Sequence, residues 1–397
     1  MNLKNAPWRA YQKYRLDGAD AFLRSAREAL LVNVFGYRGV YQRLLRGRLS
    51  RMSREALKSA GDCSTYEACT GEVPTKQAGG LPHRESAMET YWPGDRFVCT
   101  LEDATVLGPV GPGVTNDGRL VEETVAIPHK ADRRIGVAIA KALVETGPQR
   151  MARVLTGTAE SEHRFETAAI MYPPWNNYYH WTIETLPRIR SLERYAEESG
   201  EYPDLLVPAE RPSWMDETIE RIDYGGRVLG WSGGVAHVDR LVIPVFPDPT
   251  PEECRWLRDR MRSVSDRERS PGGSRVFVSR EDATIRQVNN TDAIRPILDE
   301  YGFETHVLSE LSVAEQIALF SDADIVVAPH GAGLTNLVYA DDVAVVELFG
   351  RKKLASFARL ATMLDQTYTS VDCEQRGVNL VVDPDRLAAA IESVQHS

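Results

Sequence analysis

At 397 residues, with 43% hydrophobic and 26% charged residues, the chain has an ordinary globular composition and is long enough for two sizeable cores. Its formal charge of −10 argues against a nucleic-acid protein, and no apolar run approaches the ~18 residues that would span a bilayer. Cys63, Cys69, Cys99, Cys254 and Cys373, odd in number and scattered, suggest neither a disulfide framework nor a zinc site; with no apolar signal-peptide core at the start, the expected compartment is the reducing cytoplasm.

Charge is uneven along the chain. Residues 1–58 carry 13 Lys and Arg against 4 Asp and Glu. This stretch is expected to be helical, and it mixes Leu, Val, Phe and Tyr with Arg. Two readings stay open: a basic arm in peripheral contact with an anionic membrane surface through residues 1–60, at its inner face, or an arm packed on the protein's own acidic body. Residues 61–95, rich in Gly, Pro, Thr and Ser, read as a linker or long loop. Strands are expected over 96–128 (RFVCTLEDATVLGP and GRLVEETVAIP), 167–172, 204–210 and 235–246. Asn176 or Asn177 can cap a helix running to about Glu198, with Pro187 kinking it by removing a backbone donor. The four prolines of residues 244–254 suggest a hinge-like linker. Beyond it, elements alternate: strand 275–280, helix 291–300, strand 305–308, helix 312–321, strand 324–328, helix 334–340, strand 343–348, helix 354–364, strand 368–372 and a last helix over 385–394. Such alternation predicts an α/β protein with doubly wound parallel sheet.

Four groups of residues could carry chemistry. The turn His330-Gly331-Ala332-Gly333 joins a strand to a helix. There, small residues, free N–H groups and the helix dipole suit a diphosphate, with His330 and Asn336 as further donors; the bland alternative is an empty tight turn. Glu347 sits late in the next strand, where acids commonly take ribose hydroxyls. Arg280, Arg286 and Asn290 lie in the loop after strand 275–280, and guanidinium groups pair with phosphate in a fork; alone, this could be a solvated charged loop. His180 and Glu184 share a helix face at i and i+4, so the acid can orient an imidazole that accepts a proton near neutral pH. Two other patterns fail on context. Gly230-Trp231-Ser232-Gly233-Gly234 fits G-x-S-x-G but is followed by strand rather than helix. Asp322-Ala323-Asp324 falls at the sheet edge away from the ligand side, so no obligatory metal or cofactor is inferred.

These residues, with Asn290 one position beyond the second motif, fall into N-Y-Y-H-W-x-x-E-x-L-P-R (177–188), V-S-R-x-x-A-x-x-R-x-x-N (278–289), S-x-x-E-Q-I-x-L-F-x-x-A-D-I-V-V-A-P-H-G-A-G-L-T-N (312–336) and V-V-E-L (345–348). In that order the pattern resembles glycosyltransferase family 61. The resemblance implies a GT-B fold, two Rossmann-like domains facing a cleft, and inverting transfer from a nucleotide sugar, expected to be UDP-linked, without an essential metal. The resemblance covers roughly residues 165–375; with the element pattern, the chain divides into a helical arm and linker (1–95) that match nothing in the family, an acceptor-side domain (96–246), a nucleotide-sugar domain (247–380) and a C-terminal helix (381–397) expected to pack back across the hinge. The resemblance implies that Arg280, Arg286 and the turn neutralise the diphosphate, that Glu347 holds the ribose, and that His180 and Glu184 face a glycan or lipid-linked acceptor. Gln287 and Thr291 depart from the family pattern, where Arg and Glu are frequent. The alternative is a non-catalytic nucleotide- or glycan-binding protein on the same scaffold.

Overall fold

The computed structural model describes scattered residues between 23 and 34 and, from 49 to 395, all but 61, 68–93, 109–111, 126–130, 157, 174–176, 246–247, 264–270 and 352. Most of the basic arm and much of the linker therefore lie outside the described residues; the described end of the arm pairs Arg51 with Glu122 and Arg54 with Glu123. No helix among those described is long and apolar enough to cross a membrane.

Two sheets dominate. The first contains β1 (Arg51–Met52), β2 (Asp62–Glu67), β3 (Arg96–Leu107), β4 (Gly113–Val114), β5 (Leu120–Val121), β6 (His163–Ile170), β7 (Asp204–Pro208), β8 (Val228–Trp231) and β9 (Val235–Pro244), in the order β1-β5-β4-β3-β9-β6-β7-β8, with β2 added to β3. Its β9-β6-β7-β8 part is parallel and its β3–β9 seam antiparallel. The second is wholly parallel and follows the order β11 (Glu304–Val307), β10 (Arg275–Ser279), β12 (Ile325–Pro329), β13 (Ala344–Phe349), β14 (Thr367–Asp372). Both central strands β12 and β13 are buried at every residue, as their unbroken apolar runs predict. A short antiparallel hairpin, β15 (Glu374–Arg376) and β16 (Asn379–Val381), follows. Mixed α/β architecture with parallel sheets is thus as expected.

The helices are α1 (Arg54–Ala60), α2 (Ala131–Thr146), α3 (Pro148–Leu155), α4 (Arg188–Ser199), α5 (Ser213–Ile222), α6 (Pro251–Arg262), α7 (Thr291–Glu300), α8 (Val313–Ser321), α9 (Ser356–Met363) and α10 (Pro384–Gln395). Local chemistry explains several starts. Ser312 Oγ accepts from the Glu315 N–H at 3.2 Å, and Glu315 Oε2 accepts from the Ser312 N–H at 2.8 Å, a capping box that contributes about 1 kcal/mol to α8. The segment after the glycine turn is a 3-10 helix over Ala332–Tyr339 rather than an α-helix. It is buried on all sides from Leu334 to Tyr339, so packing rather than an amphipathic period decides its form.

Three expectations are corrected. First, Cys63 and Cys99 are register partners in the β2–β3 pair and are joined by a disulfide. Second, the proline-rich segment after β9 is tied down rather than hinge-like. Arg96 Nε pairs with Glu253 Oε1 at 2.8 Å and Arg96 Nη2 donates to the Asp248 carbonyl at 2.8 Å. Helix α6 then grips both sides: Arg260 reaches Glu193 (2.8 Å) and the Ile222 carbonyl (2.7 Å), while Arg258 and Arg262 pair with Asp341 at 3.0 and 2.6 Å. Third, α10 packs on β13, β14 and α7 rather than back across the linker. One hydrophobic cluster runs through both halves, from Val98, Ala169, Leu205 and Val242 to Val276, Val326 and Val345.

Candidate functional site

The first group of site residues stands on an irregular turn of helix. Asn177 Oδ1 accepts from the His180 N–H at 3.0 Å, closing the helix start. Residues His180–Thr185 then form a π-turn, with the Leu186 N–H bonded to the Trp181 carbonyl at 2.9 Å. Pro187, which has no N–H, lies directly after it, so the ladder changes register where a donor is missing. Trp181 is buried and its Nε1 donates to Thr218 at 2.8 Å, which anchors the turn to α5; removing such a ring would cost about 3–5 kcal/mol. His180, the neighbouring residue, keeps 22% of its side chain exposed. Its Nδ1 lies 2.8 Å from Glu184 Oε2. A carboxylate only accepts, so Nδ1 carries the hydrogen and Nε2 is the basic nitrogen. Arg134, from α2, places Nη2 3.2 Å from the same Oε2.

The second group gathers at the carboxyl ends of β10, β12 and β13, where ligands of open α/β sheets bind. His330 follows β12. Its N–H donates to the Leu348 carbonyl at 3.0 Å, and its Nδ1 is paired with Glu347 Oε1. Tyr368, on β14, donates its hydroxyl to Glu347 Oε2 at 2.6 Å. Burial first, and then the adjacent carboxylate, raise the Tyr368 phenol far above its ordinary range, so it stays an O–H donor. The His330 ring lies between Phe349, stacked at 5.2 Å, and Phe357 at 5.3 Å.

Arg280, the residue after β10, lies against this turn. A Cβ built on Gly331 would come within 2.0 Å of Arg280 Nη1. Gly331 has extended backbone, so its lack of a side chain serves that close approach rather than an unusual φ. Among the described residues Arg280 makes no ion pair, and its Nε has no hydrogen-bond partner. Burial draws its guanidinium below the ordinary value, with Asp282 opposing. A half-desolvated cation with no carboxylate in salt-bridge contact among the described residues, beside the half-buried Ala332 and Gly333, is suited to an anion. A Cβ on Gly333 would meet the Leu308 side chain at 2.8 Å, so that glycine answers to packing.

The structure gives the remaining residues other partners. Glu347, read as the ribose partner, is fully buried, and its two oxygens are taken by His330 and Tyr368. It orients His330 instead, because it points into the sheet's packed face. Asn336, read as a diphosphate donor, is also fully buried. Its Oδ1 accepts from Tyr178 at 2.9 Å and its Nδ2 donates to Gln316 Oε1 at 2.8 Å, so it ties the π-turn helix to α8. Asn290 forms a two-point pair with Val382, donating to its carbonyl at 2.7 Å and accepting from its N–H at 2.9 Å. That fixes the charged loop to the segment after β16 and occupies the amide. Arg286 holds left-handed backbone at φ 62°, and its N–H donates to the Val378 carbonyl at 2.9 Å. Such a conformation in a non-glycine residue is costly and marks a locally constrained loop.

A row of aromatic rings joins the two groups. Tyr179 stands edge-on to His180 at 5.5 Å and to Phe357 at 5.6 Å, and Phe357 lies against His330. Sequence reading missed Arg134, Tyr368 and Phe357. No motif signals Arg134, whereas the polar-apolar alternation of β14 offers only a faint hint of Tyr368.

Compared with known proteins, the chain carries a glycosyltransferase segment. Residues 178–346, from Tyr178 on the π-turn helix to Val346 in β13, match the family model Glycosyltransferase 61. The resemblance read from the motifs therefore holds. No curated protein matches the chain. The match supports glycosyl transfer between a sugar donor and a glycan acceptor.

Proposed function

We propose that the protein moves a sugar, with inversion, from a nucleotide sugar, UDP-linked in this reading, to a hydroxyl of a glycan or lipid-linked acceptor during surface polysaccharide or glycoconjugate synthesis. The observation that carries the reading is the Arg280 guanidinium, seated on the Gly331 backbone and, among the described residues, in no salt bridge, with Asp282 acting on it only from a distance. In this mechanism His180 Nε2 takes the proton of the acceptor hydroxyl. The hydroxyl oxygen attacks the anomeric carbon from the face opposite the diphosphate, and the bond to the departing phosphate oxygen breaks. Arg280, His330 and the N–H groups of Ala332 and Gly333 take up the charge that develops on the leaving group. No metal is required in this reading. Residues 96–246 would carry the acceptor side and residues 247–380 the donor side of a GT-B arrangement.

The test is calorimetry with UDP, followed by transfer assays across UDP-, GDP-, CMP- and dTDP-sugars. The reading expects nucleotide binding that weakens in Arg280→Ala, together with transfer from one donor class. Binding without transfer or donor hydrolysis would instead favour a non-catalytic binding protein. Compartment is a separate proposal. The cytoplasmic reading drew on unpaired cysteines, and the Cys63–Cys99 bond withdraws that support. Thiol labelling of protein trapped directly from cells decides it: reactive Cys63 and Cys99 fit the cytoplasm, a protected pair an oxidising compartment.

A further inference from the structure

Glu184 is nearly buried, with 9% of its side chain exposed, and a buried carboxylate is strongly destabilising without a cation beside it. The cation comes from outside the family-matched segment. Arg134 sits early in α2, in a stretch that shows no site motif, and its side chain is only 3% exposed. Its Nη2 and His180 Nδ1 converge on one oxygen, Glu184 Oε2, at 3.2 and 2.8 Å. Two other buried arginine–glutamate pairs among the described residues are arranged differently. Arg54 spans both oxygens of Glu123, and Arg96 spans both oxygens of Glu253, a fork that stitches two elements together. Those pairs bridge both carboxylate oxygens, and Glu253 also caps a helix by accepting from the Thr250 N–H at 3.0 Å, whereas Arg134 shares a single oxygen with an imidazole that reaches the surface.

We propose that Arg134 is a positioning residue of the transfer site: it fixes Glu184 so that the carboxylate receives the His180 Nδ1–H and Nε2 is kept as the basic nitrogen toward the acceptor hydroxyl. The inference rests on the proposed role of His180. The physical argument has two parts. Glu184 lies on the π-turn, whose helical bonds are re-registered at Pro187, so its side chain needs an outside restraint to hold one angle. A guanidinium supplies that restraint as a planar, permanently charged donor, where a lysine would be a mobile point charge. The family-matched segment thus borrows one of its working parts from a helix that precedes it.

The experiment compares full-length wild type, Arg134→Gln, Arg134→Lys, Glu184→Gln and the Arg134→Gln/Glu184→Gln double variant. One readout needs no activity: nitrogen-15 shifts of the His180 ring report its tautomer. The expected result is a wild-type ring with hydrogen on Nδ1, a mixed population in Arg134→Gln, and partial return toward wild type in Arg134→Lys. Transfer kinetics should show kcat lower by at least about tenfold in Arg134→Gln, with UDP affinity unchanged, part of the loss recovered in Arg134→Lys, and no further loss in the double variant beyond Glu184→Gln. An unchanged tautomer, loss of UDP affinity in step with kcat, or additive losses in the double variant would overturn it. If Arg134→Gln does not fold, the Arg134→Lys and Glu184→Gln spectra carry the same decision. His180→Ala separates the two levels: full activity there removes the base assignment itself, whereas lost activity there with an unmoved Arg134→Gln removes only Arg134.

Discussion

His180 and His330 each present Nδ1 to a glutamate, but the two glutamates are braced differently. Behind His180, Glu184 meets the Arg134 guanidinium; behind His330, Glu347 meets the neutral Tyr368 hydroxyl. A cationic brace takes up the carboxylate's charge, while a neutral brace leaves that charge to the imidazole. Exposure differs in the same direction. His180 keeps 22% of its side chain open, whereas His330 keeps 6% and is enclosed by Phe349 and Phe357. In the proposed mechanism the same two-residue unit would serve as a base that meets an incoming hydroxyl in one place and as a rigid donor beside a glycine turn in the other. The surroundings, not the pair itself, set the role.

Four substitutions test that division, in decreasing order of expected effect. His180→Ala should lower transfer by about 10²–10⁴-fold while UDP affinity stays near wild type; equal loss in both would contradict a role confined to the acceptor side. Arg280→Ala should weaken UDP binding by about 1.5–3 kcal/mol, read by calorimetry, since it removes charge-assisted bonds to phosphate. An unchanged affinity would take Arg280 out of the donor site. Tyr368→Phe should lower stability by about 1–2 kcal/mol in denaturant titration and loosen His330, with a modest loss of UDP affinity and no change at His180. An altered His180 tautomer there would mean that the aromatic row couples the two units. Gly331→Ala should fold almost as stably as wild type, because the backbone is extended and the displaced group is the end of a flexible side chain. Its UDP affinity should still fall by about 1 kcal/mol or less as Arg280 moves aside. A large stability loss with intact binding would show that the glycine serves folding alone.

Local order in the chain settled much of the architecture. Strands β10, β12 and β13, the capping box at Ser312 and helix α7 follow from apolar runs, caps and period, because each depends on neighbours a few residues away. So does the placement of Arg280 and His330 at the carboxyl edge, which comes with strand direction. Tertiary packing decided the rest. Asn336, Asn290 and Glu347 read equally well as ligand-binding groups, yet each is engaged by a residue 158, 92 or 21 positions away. The same holds for Cys63 with Cys99 and for Arg134 with Glu184, 36 and 50 positions apart. A polar side chain announces its donors and acceptors in the sequence. Which partner takes them depends on segments that meet only after the core has closed, and that is why the elements of this site were legible while the wiring behind its two histidines was not.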